Sequence, residues 1–282
     1  WGHTTEEIYK KIDSVLYENI PGKILNKQIV YNSGYKGFDI LNRTRRGDYQ
    51  RYNIFITPFE IIIFKMSGND EYVRGDEAKR FFSSIKLKDY TKDRQWKKFS
   101  PWYGGFAINL PHEAFVSNDG SWLFDAEDKL NNTMYRVVRT DVHNFNFAGE
   151  DSFDLRLLEE SFSQSDFIDK LISRKLSSFK GYPALDCRFS HKDGSVSLVK
   201  FIIKGPHYYS LIAHGKKENA AMQDFFNSFE LKPFVYGEAK LRTDTSLYFT
   251  VKSPVYPENK KEKIGLAPSY DYSYDDDDDN EP

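Results

Sequence analysis

KILNKQIVYNSGYKGFDILNRTRRGDYQRYNIFITPFEIIIFKMSG, Lys23 to Gly68, returns in altered form as KLISRKLSSFKGYPALDCRFSHKDGSVSLVKFIIKGPHYYSLIAHG, Lys170 to Gly215. The two stretches align without a gap, about 147 residues apart. Gly34-Tyr35 falls on Gly181-Tyr182, Asp39 on Asp186, Gly47 on Gly194, Ile56 on Ile203 and Gly68 on Gly215. When three residues are dropped from the second copy, Phe81-Phe82-Ser83-Ser84-Ile85-Lys86-Leu87 lies on Phe225-Phe226-Asn227-Ser228-Phe229-Glu230-Leu231. The matches fall on glycines, turn residues and core aromatics in one order. A period this long makes each copy a whole domain rather than a solenoid turn.

The second copy reads as the complete one. Phe106 to Leu110, Ser121 to Asp125 and Thr133 to Val142 alternate as strands, and Pro111 ends the first of them. Asp151 to Ser163 spaces Phe153, Leu157, Leu158 and Phe162 at helical intervals. Leu171 to Leu176, Leu185 to Ser190, Val196 to Lys204 and Tyr208 to Ala213 follow as strands, with a hairpin at Asp193-Gly194. Lys217 to Phe229 closes the copy as a helix.

The first copy starts at the helix Glu6 to Asn19, capped by Thr4 or Thr5. Its strands are Ile24 to Tyr31, Phe38 to Asn42, Tyr49 to Ile56 and Glu60 to Met66, and its last helix is Asp76 to Ser84. It has no counterparts of Phe106 to Val142, so its sheet edge needs cover. Leu247 to Lys252, or the stretch Trp96 to Tyr103, is the expected cover. Phe249 to Pro254 resembles Phe106 to Pro111 and suggests the start of a third copy.

The fold class expected is α+β: an antiparallel β-sheet packed by helices, repeated in tandem, the first copy N-terminally truncated. The boundaries are 1–90, a linker 91–103, 104–234, a strand or partial third repeat 235–260, and an acidic tail 261–282 that reads as disordered.

Composition bounds the function. Hydrophobic residues make up 39% and charged residues 29%, as in globular domains. The net charge of −2 gives no electrostatic case for nucleic acid. The longest apolar run, Ile61 to Phe64, is far shorter than a membrane span. One cysteine excludes an internal disulfide. Asn42-Arg43-Thr44 and Asn131-Asn132-Thr133 fit the glycosylation triplet.

Candidate chemistry is sparse. Asp39 and Asp186 recur beside the Gly-Tyr turns and are expected to accept turn hydrogen bonds. Cys187 occupies the slot of Ile40, which fits a small apolar role better than a nucleophile. His191, His207 and His214 lie on neighbouring strands, where the first copy has Thr44, Glu60 and Ser67, so surface or core roles are expected for them. His112 and His143 belong to neither set. Glu6-Glu7 and Glu159-Glu160 read as helix polar faces. Motifs for nucleophile elbows, phosphate loops, zinc proteases and calcium loops are absent.

The stretch Lys86 to Tyr103 interleaves Lys88, Lys92, Arg94, Lys97 and Lys98 with Trp96, Phe99, Trp102 and Tyr103, and reads as a linker whose aromatics pin the copies together. Phe106 to Pro111, the Gly-Tyr turns, the Gly194 hairpin and Phe225-Phe226-Asn227-Ser228-Phe229 together resemble the PsbP-like superfamily. That group includes photosystem extrinsic subunits, a Ran-binding branch and many uncharacterised bacterial lipid-anchored or secreted proteins. The resemblance implies an antiparallel sheet with helices against it, a binding or assembly role, and no catalytic residues.

The expected function is therefore a non-catalytic binding or assembly protein, part of a larger secreted or envelope protein, without cofactor or metal. A protein partner is expected, with a periplasmic, cell-surface or secreted setting favoured over the cytoplasm. The alternative is a small-molecule or glycan module using Trp96, Trp102, Trp122 and Tyr208.

Overall fold

A computed structural model describes residues 8–12, 14–15, 20, 22–89, 95–102, 104–142, 150–234, 237–245 and 248–254. The Thr4 or Thr5 cap, His143, Tyr103 and the tail 261–282 lie outside them. The chain divides into two compact units, Trp1–Pro233 and Phe234–Pro282.

In the first unit, residues 8–12 and 14–15 are helical (α1). They precede a four-stranded antiparallel meander: β1 (Lys23–Asn32), β2 (Tyr35–Arg43), β3 (Tyr49–Ile56) and β4 (Ile61–Gly68). Ser33 and Gly34 both take positive φ, 49° and 82°, as a two-residue type I′ hairpin loop requires. Lys180 and Gly181 repeat this at 51° and 87°. That is why a Gly-Tyr pair marks each copy: glycine closes the turn and tyrosine opens the next strand.

The second meander consists of β10 (Ile168–Phe179), β11 (Tyr182–His191), β12 (Val196–Lys204) and β13 (His207–Gly215). It repeats the first pair by pair. Asn32↔Tyr35 answers Phe179↔Tyr182, Gly37↔Phe55 answers Ala184↔Ile202, and Tyr49↔Gly68 answers Val196↔Gly215. Even the irregularity recurs, with a register shift between Ile24 and Asn26 and another between Leu171 and Ser173. A bulge conserved between copies is a built feature of the outer strand.

On one face of each sheet lies a helix-covered core. Phe38, Ile40, Tyr52, Ile54 and Ile56 pack with Tyr9 and Ile20 in the first copy. Their counterparts Leu185, Cys187, Val199, Phe201 and Ile203 pack with Leu155 of α4 (Asp151–Ser163) in the second.

The opposite faces differ. In the second copy β13 continues through β9 (Thr133–Asp141), β8 (Ser121–Asp128) and β7 (Phe115–Asp119) to a seven-stranded sheet, ordered β10-β11-β12-β13-β9-β8-β7. A second layer, β14 (Glu230–Leu231), β6 (Phe106–Leu110) and β5 (Lys97–Phe99), closes over this face with α5 (Ala220–Asn227). Between them Phe106, Ile108, Phe124, Tyr135, Tyr209, Leu211 and Phe225 are fully buried. In the first sheet β4 pairs with β3 alone among the described residues.

The first copy has its own substitute. The segment that holds the three extra residues of its alignment contains α2 (Asp70–Arg74), capped by Asn69 accepting from Tyr72 N–H at 2.9 Å, ahead of α3 (Asp76–Ser84). Val73 is fully buried there.

The structure adds or corrects several elements. β7 was not anticipated; it is joined to β8 through Gly120 at φ 71°. The closing helix begins only at Ala220, capped by the Asn219 side chain. Within the stretch 91–103, Lys97–Phe99 is a strand paired with Phe106–Leu110, and Trp96 and Phe99 pack on the second core. Of the segments expected to cover β4, Leu247 to Lys252 overlaps the strand Phe249–Ser253, which pairs with Lys240–Asp244, and Trp96 to Tyr103 holds Lys97–Phe99, which pairs with β6. Asp39 and Asp186 do not accept turn hydrogen bonds. Asp39 takes Arg51 through two bonds of 2.9 and 2.7 Å and Gln28 at 3.0 Å, while Asp186 pairs with Lys200 across the ladder. Both carboxylates face cross-strand cations, a relation visible only once the register is known.

In the second unit, β15 (Lys240–Asp244) and β16 (Phe249–Ser253) form an antiparallel hairpin, with Thr243 and Thr250 hydroxyls 3.0 Å apart.

Gly194 sits at φ 82° with open space where a Cβ would point. Gly194→Ala should therefore cost about 1 kcal/mol through backbone strain alone, and Gly194→Asn less, in denaturant unfolding.

Candidate binding surface

The repeat supplies its own control: equivalent positions can be compared for burial. Tyr209, Leu211 and Ala213 on β13 are fully buried beneath β6 and α5, whereas their β4 counterparts Ile62, Phe64 and Met66 are only half-buried. Phe225 is fully buried against Tyr135 at 4.9 Å, but Phe81 is 41% exposed. The local geometry is nevertheless the same, since Phe81–Phe82 meet edge-on at 5.0 Å and Phe225–Phe226 at 5.2 Å. On the other side of β4, Ile61 and Ile63 are also exposed. An edge strand with an apolar flank is a template for another strand.

One end of this edge is held by the second copy. Phe59, in the β3–β4 turn, stacks on Phe115 at 5.2 Å and 8° and tilts over His112 at 6.2 Å. Lys88 pairs with Glu113 at 2.8 Å. His112 is buried: Glu127 N–H donates to its Nε2 at 2.9 Å, so Nδ1 carries the proton and donates to the Glu113 carbonyl at 2.6 Å. Burial holds the imidazole below its usual range, as a neutral strut.

The four aromatics expected on a binding surface do not converge. Trp96 meets Tyr135 edge-on at 5.4 Å and lines a cleft of about 510 Å³ with Asn109, Ala221, Asp224, Asn227 and Ser228. Trp122 stacks on Phe124 at 6.4 Å and packs against the same core. Tyr208 packs on the helix-side core and donates its hydroxyl to Asp154. Trp102 is 83% exposed.

His191, His207 and His214 do not come together as a metal site either. His207 lies at the Lys204 end of the β12–β13 hairpin and bonds Asp141 at 2.7 Å. Burial pushes the Asp141 carboxyl up, and hydrogen bonds from His207 and Arg139 more than offset it. His214 lies near the opposite end, about seven residues and roughly 23 Å along the strand. There it stacks on buried His191 at 4.3 Å, and the two rings share the Ser197 hydroxyl at 2.7 and 3.2 Å. The repeat does not mark this pair, because Thr44, Gln50 and Ser67 fill the corresponding places in the first copy.

No known family profile matches the chain, and no curated protein matches it either. Solved structures do. The solution structure of cyanobacterial PsbP from Synechocystis sp. PCC 6803 aligns with 52% of this chain and 98% of its own, at TM-score 0.38 and 8% identity. A protein of unknown function, PA94, from Pseudomonas aeruginosa covers 43% of this chain and 83% of its own, at TM-score 0.28 and 14% identity. The Pseudomonas aeruginosa MucA/MucB complex covers 75% and 64%, at TM-score 0.21 and 7% identity. Each leaves a quarter or more of this chain unaligned.

Two outcomes follow from the site chemistry. Burial, aided by His214, holds His191 down at about 4, against an ordinary value of 6.5, and burial lowers His214 too. The unfolded chain therefore binds more protons between these values. Stability present above pH 6.5 should fall as pH drops from 6.5 towards 4, and a His191→Gln variant should show a flatter profile in chemical denaturation. Burial pushes the Cys187 thiol up to about 12, so the native protein should resist thiol labelling, and Cys187→Val should cost on the order of 1 kcal/mol.

Proposed function

We propose that the protein is a non-catalytic binding or assembly module whose first repeat accepts an extended polypeptide along β4. The observation that carries this reading is the burial contrast between equivalent strands: what β9 and β6 cover on β13 is open on β4. Main-chain pairing would supply affinity and the alternating side chains specificity. The second copy also indicates the chemistry of the occupant. On β13, Tyr135, Val137 and Arg139 face Ala213, Leu211 and Tyr209, while Arg136 faces Ile212. The counterpart of Ile212 is Lys65, so a strand for β4 should carry an acidic residue there and apolar residues opposite Phe64 and Met66, as Val137 and Tyr135 lie opposite Leu211 and Ala213.

A glycan or small molecule would use the cleft at Trp96, whose size and polar rim suit one. Of the four aromatics named for that role only Trp96 lines it, and the strand-accepting reading is preferred. Cys187 is buried, which supports the apolar role read for it over that of a nucleophile. No described helix is long and apolar enough to cross a membrane.

The test is a peptide titration followed by NMR. A peptide of residues 133–141 carrying Arg136→Glu should shift amide signals of residues 61–68 at millimolar concentration or below, and more strongly than the unaltered peptide. Lys65→Glu in the protein should reverse that preference. The absence of shifts on β4 with either peptide would end the reading.

A further inference from the structure

The β2–β3 turn of the first repeat and the β11–β12 turn of the second are built alike. Thr44 N–H donates to the Asp48 carbonyl and Gly47 N–H to the Thr44 carbonyl. His191 N–H likewise donates to the Ser195 carbonyl and Gly194 N–H to the His191 carbonyl. What differs is charge. In the second repeat Asp193 accepts from Ser195 N–H at 2.9 Å, and Asp169 accepts from the Ser190 hydroxyl at 3.0 Å across the β10–β11 ladder. In the first repeat the places of these two carboxylates are held by Arg46 and Gly22, and that of Ser190 by Arg43. Lys23 and Arg45 keep the charge of Lys170 and Lys192. Four cations therefore stand where the second repeat sets two cations against two carboxylates.

A cleft of about 370 Å³ opens at this turn, lined by Gly22, Lys23, Arg43, Thr44, Arg45 and Gly47. Lys23 and Arg43 are cross-strand partners in the β1–β2 ladder. Gly22, at φ 108°, lets the chain close on Arg43, since a Cβ there would collide with the Arg43 carbonyl oxygen. The Arg43 guanidinium lies 5.7 Å from the centre of the Tyr49 ring, a contact that holds it in place. Thr44 Oγ1 is shielded from solvent and has no hydrogen-bond partner. A buried hydroxyl in that state is costly unless an acceptor reaches it.

Other cations of the same repeat do have carboxylates: Arg51 pairs with Asp39, Arg74 with Asp70 and Lys79 with Asp76. Among the described residues Lys23, Arg43, Arg45 and Arg46 pair with none, Asp48 included.

We propose that this cleft, a site separate from the β4 edge, binds a phosphomonoester carried on a small soluble molecule. Arg43 offers its planar fork to two phosphate oxygens, Lys23 and Arg45 balance the remaining charge, and the Thr44 hydroxyl donates to the same group. The ligand thus supplies the negative charge that Asp169 and Asp193 supply in the second repeat. A phosphomonoester carries about −1.5 to −2 near neutral pH, whereas a sulfate ester carries a single charge, so several cations around one cleft favour the former. The volume lies at the small end of the roughly 300–1,000 Å³ usual for ligand sites, which leaves room for a small organic body beyond the phosphate. The donors come from a turn and two strand ends rather than a glycine loop before a helix, so no phosphate-loop motif marks them in the sequence.

Phenyl phosphate titrated into the 282-residue chain and followed by amide NMR tests this. Shifts should centre on residues 22–23 and 43–47 with a Kd of about 1 mM or below, and phenyl sulfate should bind about tenfold more weakly. Arg43→Gln and Arg46→Asp, both at exposed side chains, should each weaken phenyl phosphate about tenfold. The second of these returns to the turn the carboxylate found in the other repeat. Thr44→Val should weaken binding as well, whereas a hydroxyl without a ligand role could be removed with no change in affinity. Vesicles containing phosphatidic acid distinguish a lipid headgroup from a soluble ester. Binding to those vesicles without binding to phenyl phosphate overturns the proposal. So does an absence of shifts at about 10 mM phenyl phosphate, or an affinity unchanged in all three variants.

Discussion

The antiparallel pairing of β3 with β4, and of β12 with β13, is the interaction on which the rest of the molecule depends. A strand paired on one side directs half of its N–H and C=O groups outward, where they need either water or another strand. On β13 that need is met by nine residue pairs with β9, and the resulting continuous sheet makes room for the β14-β6-β5 layer above it. On β4 the same backbone, in the same register, ends the sheet. Burial, aromatic packing and the exposed apolar flank all follow from that one difference.

The first repeat offsets the missing layer locally rather than by rebuilding it. The α2 insertion places Val73 under the sheet face, and Tyr72 lies over Gly68, where a Cβ would come within 2.8 Å of its ring. After α3, Asn32 holds the chain with both ends of its amide: Nδ2 donates to the Ile85 carbonyl at 2.8 Å and Oδ1 accepts from Leu87 N–H at 3.1 Å. In the second repeat the corresponding segment pairs with β6 instead, Glu230 opposite Ala107. A side-chain amide thus replaces a strand. Each such hydrogen bond contributes roughly 1 kcal/mol, enough to fix the segment but too little to cover the open face.

The meander was legible in the sequence because its turns are chemically marked: Gly34 and Gly181 need positive φ, and Asp193-Gly194 closes a short hairpin. The interchange of Ile40 and Cys187 in equivalent cores was legible for the same reason. β7 was missed because Phe115–Asp119 carries little alternation, although Asn118-Asp119-Gly120 is a turn signal. α2 was missed because an alignment gap has no structure until it folds. The Asp39–Arg51 pair and the stacked His191 and His214 depend on register and on side-chain direction across strands, which no single stretch encodes. The aromatics named as a binding surface were chosen by residue type, yet sheet parity sends Trp122 and Tyr208 to different cores.

The central claim is that equivalent strands differ in backbone partnership, and amide hydrogen exchange of the native chain measures that directly. Residues 207–215, paired on both sides, should exchange only through large-scale opening. On residues 61–68, alternate amides that point away from β3 should exchange orders of magnitude faster than their β13 counterparts, while the amides between them stay protected. Uniformly slow exchange along both strands in dilute solution would contradict the account.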